Sequence, residues 1–97
     1  MDESSVREHA EAHGQAMVDG DLRRAGSDLT PEVQATAGDV MKHFPRKVET
    51  AELVSVAVQG DEAVTQARYS GEGKEVTVES RWAERDGRPK ITVMKVV

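Results

Sequence analysis

A chain of 97 residues with formal net charge −5, 37% hydrophobic and 32% charged residues has the balance of a globular domain with interior enough for a single core. The absence of cysteine excludes a disulfide framework and a thiolate nucleophile, and the dispersed basic residues lack the footprint of a nucleic-acid binder. No segment approaches the roughly 20 apolar residues of a membrane span, and MDESSVREHAEAHG carries acids where a secretion signal carries basic residues and an apolar run; a cytoplasmic protein without nucleic-acid or membrane partners is expected.

Residues 1–97 are expected to form one domain, with residues 1–5 disordered. From Val6 onward, Val6, Ala10, His13 and Met17 recur at steps of three and four, which predicts one face of a helix. Gly20 suits the left-handed cap that ends it, and Asp21 can cap a short second helix that continues through Leu22, Ala25 and Leu29. Thr30-Pro31-Glu32 then supplies a cap, a first-turn proline and a first-turn acid. The third helix presents Val33, Ala37, Val40, Met41 and Phe44 inward and stops at Pro45.

After Arg46 the period changes to β-branched alternation punctuated by tight-turn pairs, predicting strands over residues 47–58, 63–70, 75–84 and 90–97. Their links are Gly60-Asp61, Gly71-Glu72-Gly73 and Asp86-Gly87, the last being the strongest hairpin signal. Three helices followed by a four-stranded antiparallel meander is an α+β layout. Leu53, Val54, Val56, Ala57 and Val58 run together, and Ile91, Val93 and Val97 alternate with Met94 and Val96, so the strands read as apolar on both faces. Three short helices cover one face only. The outer face is therefore expected to bury against a second copy, giving a homodimer, the alternative being a sheet curved over its own back.

The passage VDGDLRRAGSDLTPE and the final VESRWAERDGRPKITVMKVV resemble the nuclear transport factor 2-like superfamily. Gly20-Asp21-Leu22 through Leu29-Thr30-Pro31-Glu32 is similar to its helix-to-helix passage, and Trp82 through Met94 to its last hairpin. That superfamily includes SnoaL-like polyketide cyclases and ketosteroid isomerase. The resemblance implies a cystatin-like cone, in which three N-terminal helices pack on one face of a curved sheet. It also implies a pocket for a small hydrophobic ligand. In the isomerase branch a first-helix tyrosine, a base aspartate after the second helix and a protonated aspartate on a late strand line the cone. Here His13 stands at the first position and Ser80 at the last. The stretch that would supply the base is absent.

His13 lies in mid-stripe and points toward the sheet, either as a hydrogen-bonded core histidine or as a pocket base or proton donor. His9 and His13, one helical turn apart, lack a third ligand at a diagnostic spacing, so no metal is assigned, and no cofactor motif is present. Tyr69 and Trp82 on adjacent strands, with Met17 and Met94, are either core or pocket lining. Two functions follow as expectations. One is a homodimeric cone that binds a small apolar ligand or a protein partner; the other is a cyclase, isomerase or dehydratase of a hydrophobic carbonyl compound. The candidate residues are His13 for catalysis and Met17, Tyr69, Ser80, Trp82 and Met94 for ligand binding.

Overall fold

In a computed structural model describing residues 1–97, the chain runs α1 (Glu3–Asp19), α2 (Leu22–Gly26), α3 (Pro31–Met41), β1 (Thr50–Gln59), β2 (Glu62–Gly71), β3 (Lys74–Arg85) and β4 (Arg88–Val96). The strands pair antiparallel in the order β1-β2-β3-β4. This is the α+β arrangement predicted from the change of period after Arg46. No helix is long and apolar enough to cross a membrane.

Each helix starts on a side-chain cap: Asp2 accepts from the Ser5 amide, Asp21 from Arg24 and Thr30 from Val33, satisfying donors that a helix start leaves free. The first cap corrects the expected disorder of residues 1–5, since α1 is already helical at Glu3. Gly20 closes α1 in the left-handed conformation. The second helix is shorter than predicted and ends at Gly26. Leu29, expected to extend its stripe, instead forms a parallel bridge with Ile91. The Ile91 amide donates to the Asp28 carbonyl (2.7 Å), and the Thr30 amide donates to the Ile91 carbonyl (3.1 Å). The α2–α3 hinge is thereby stitched onto β4. The third helix ends at Met41 rather than at Pro45; a turn then keeps Phe44 buried.

The Glu72-Gly73 and Asp86-Gly87 turns hold both residues at positive φ, the geometry that matches strand twist in two-residue hairpins. Register slips between Leu53 and Ser55 in β1, and between Arg81 and Trp82 opposite β4. Such bulges bend a strand and reset which residues share a face. They decide how the apolar runs divide between the two faces. Leu53, Val56 and Val58 sit opposite Ala67, Thr65 and Ala63 on the inner face, and Ile91 and Met94 sit opposite Trp82 and Ser80. The outer face carries cross-strand ion pairs: Arg68 with Glu52 (2.8 Å), Arg81 with Glu62 (3.3 Å) and Lys95 with Glu79 (3.4 Å). Val54 and Val93 stay exposed among them.

The inner face and the helices bury two apolar clusters. One joins Met17, Ala25, Val40, Phe44, Tyr69 and Val78; the other joins Val6, Ala10, Leu29, Val33, Trp82 and Ile91. His13 follows Ala10 of the second cluster and precedes Met17 of the first on the same helical face, which sets it at their boundary.

Candidate functional site

The helical spacing that buries Ala10 and Met17 carries His13 inward with them; it is 8% exposed. Its Nδ1 lies 2.9 Å from Oδ2 of Asp28. Asp28 sits in the hinge after α2, is wholly buried, and cannot remain ionised there without partners. It has three. Arg24, four residues earlier, donates through Nη1 to Oδ1 at 2.7 Å, and Arg88, at the first position of β4, donates through Nη2 to the same oxygen at 2.6 Å. Burial pushes the Asp28 carboxyl up, but the hydrogen bonds from His13 and Arg24, reinforced by their charges, outweigh it and hold the group below the usual carboxylate range. The Nε of Arg88 is the one buried side-chain polar atom without a partner.

Because an ionised carboxylate only accepts, the Asp28 bond assigns a hydrogen to Nδ1 of His13. Nε2 is then the ring atom left for other chemistry. Trp82 meets the imidazole edge-on, with ring centroids 6.4 Å apart, and its indole N–H donates to Thr65 Oγ1 at 3.0 Å. The imidazole is thus held at one edge by charge and against the indole by packing.

In front of His13 lies a cavity of about 190 Å³. Met17 on α1, Leu22 and Ala25 on α2, Val40, Met41 and Phe44 in and after α3, and Tyr69, Val78, Ser80 and Met94 from the sheet are among its walls. Its only polar side chains are those of His13, Tyr69 and Ser80. Phe44 tilts against Tyr69 at 4.9 Å. Burial, with a smaller contribution from the Asp28 charge, pushes the Tyr69 hydroxyl up to about 12, so it stays protonated as a donor. Leu22 and Met41 are walls that also reach solvent, at 61% and 37% exposure, and mark the way in.

Of the residues singled out in the sequence, His13, Met17, Tyr69, Ser80 and Met94 come together around this cavity. Trp82 does not: it is buried behind His13 in the neighbouring cluster. It shares the inner face with Tyr69, but the register sets it opposite Ala63, six residues along β2 from Tyr69, about 20 Å away. His9, one helical turn before His13, bonds the Ser5 carbonyl through Nδ1 at 2.8 Å. Sequence reasoning missed Asp28, Arg24, Arg88 and Thr65. The available signal was the Arg24–Asp28 spacing of four, which resembles an ordinary surface pair.

A bent antiparallel meander with three helices on its inner side and a cavity between the layers is the nuclear transport factor 2-like fold. Similar solved structures agree. A nuclear transport factor 2-like protein of unknown function from Burkholderia xenovorans superposes with a TM-score of 0.63 at 20% identity, over 97% of this chain and 84% of that one. A SEC-C motif-containing protein from Rhodopseudomonas palustris gives 0.66 at 15% identity, over 100% and 82%. A de novo designed protein with a curved β-sheet gives 0.64 at 19%, over 99% and 86%. No family model matches the sequence, and no curated protein matches it. Likeness at these identities defines the shape alone, and the designed neighbour illustrates that this shape carries no activity by itself.

Proposed function

We propose that residues 1–97 form a small-molecule pocket domain that takes a compact, largely apolar ligand of about one ring, oriented by His13. The observation that carries this reading is the apolar cavity with a carboxylate-oriented imidazole in its wall. Its volume of about 190 Å³ compares with the roughly 150 Å³ that admits benzene in an apolar protein interior. The four methionines provide the test. Met17, Met41 and Met94 line the cavity, whereas Met1 packs on the other cluster. In methyl NMR, single-ring hydrophobic compounds should move the first three signals and leave Met1 in place; a panel that moves none of the three removes the reading.

A second reading is favoured by the His13–Asp28 pair itself. With Nδ1 tied to a carboxylate, Nε2 is arranged as a general base, and Tyr69 is a protonated donor for an oxygen that gains charge in the reaction. The corresponding activity is proton transfer next to a carbonyl, as in an isomerase, dehydratase or cyclase of a small hydrophobic compound. Exchange of α-hydrogens for deuterium in cyclic ketones measures it. His13→Gln should abolish the exchange, and a wild-type protein no faster than buffer leaves the binding function alone. Pairing of two copies through the outer sheet face belongs to the same proposal, supported by exposed Val54 and Val93.

A further inference from the structure

We infer that the cavity selects an uncharged ring compound bearing a hydroxyl, which donates to Nε2 of His13 and accepts from the Tyr69 hydroxyl. This inference rests on the pocket reading above and adds the ligand's chemistry to it. Charge excludes the alternatives first. No lysine, arginine, aspartate or glutamate lines the cavity, and the two guanidinium groups nearest to His13 are bound to Asp28. An anionic ligand would lose its hydration with no lysine or arginine to meet it, and an ammonium with no carboxylate.

The donor and acceptor pattern comes next. Asp28 assigns the hydrogen of an uncharged His13 to Nδ1, so Nε2 presents a lone pair and calls for a donor. Tyr69 lines the cavity and keeps its proton, so its hydroxyl offers a donor that calls for an acceptor. A hydroxyl on a ring meets both needs with one oxygen. An ether or ketone meets only the second, and a hydrocarbon neither.

The test compares phenol, anisole, toluene and benzoate by titrating the Met17 and Met94 methyl signals of the wild-type protein, His13→Leu and Tyr69→Phe. Phenol and toluene are nearly the same size, so their difference reports hydrogen bonding. Phenol should bind about tenfold more tightly than toluene, the scale of one or two net hydrogen bonds, with anisole between them and benzoate inert. His13→Leu should reduce phenol to the affinity of anisole or below, and Tyr69→Phe should remove part of the gain while leaving toluene unchanged. Toluene binding as well as phenol overturns the inference and leaves the apolar pocket standing. Benzoate binding as well as phenol overturns its uncharged character. Failure of all four probes to move the methionines removes the pocket reading and this inference together.

Discussion

Asp28 has two oxygens and three cationic or potentially cationic partners, and the consequences of losing its charge are asymmetric. Asp28→Asn keeps the shape but leaves Arg24 and Arg88 facing each other without an anion. A fully buried pair broken in this way costs about 3–5 kcal/mol; both arginine side chains are 38% exposed, so about 2 kcal/mol is expected from urea unfolding. The same group sets an acid limit. Its folded pKa is lowered, so its contribution is complete above the unfolded value of about 3.9 and is lost as pH falls through the lower folded value. The wild-type protein should lose stability in that acid range, and Asp28→Asn should lose less of it; parallel acid titrations followed by circular dichroism check this. Thr65→Val removes the acceptor of the Trp82 indole and should cost about 1–3 kcal/mol, because the orphaned donor stays buried.

Elements differ in how much space their glycines have. At Gly71, the last residue of β2, an added Cβ would collide with the Lys47 carbonyl oxygen, which is backbone and cannot swing away. Gly71→Ala should therefore destabilise by about 1–3 kcal/mol. Gly38, exposed inside α3, meets nothing within 4 Å, so Gly38→Ala should stabilise by about 0.5–1 kcal/mol through helix propensity. Chemical denaturation of both variants measures the contrast. The caps and turns that define the elements were legible in the sequence because each is a local signal: Thr30-Pro31-Glu32 opens α3, and Asp86-Gly87 closes the last hairpin. Bulges were not legible. The residues around Leu53 give no sign that register slips there, and a slip of one reverses every later side chain, so how the apolar run divides between the two faces was hidden. The hinge was hidden for a similar reason: Leu29 keeps helical spacing with Ala25, yet its backbone pairs with Ile91, a partner chosen by tertiary contact.

For the whole molecule, the site was legible in half. The stripe on α1 and the inner-face residues Tyr69, Ser80 and Met94 follow from periodicity, whereas Asp28 and Arg88 lie 60 residues apart and no local pattern joins them. The dimer proposal belongs to this scale. Apolar contact through Val54 and Val93 between copies that each carry a formal charge of −5 is not weakened by salt, which screens their repulsion, so light scattering should find a dimer at micromolar concentration that persists as salt is raised; a monomer ends that proposal. The clasp on Asp28 also imposes an order on biosynthesis. The chain before β4 supplies every cavity wall except Met94, but the second guanidinium and the backbone that holds the hinge arrive with β4. A chain lacking β4 would have its imidazole and carboxylate within reach of each other, with only Arg24 to hold the carboxylate. Competence to hold a ligand is accordingly a property that switches on once β4 has docked.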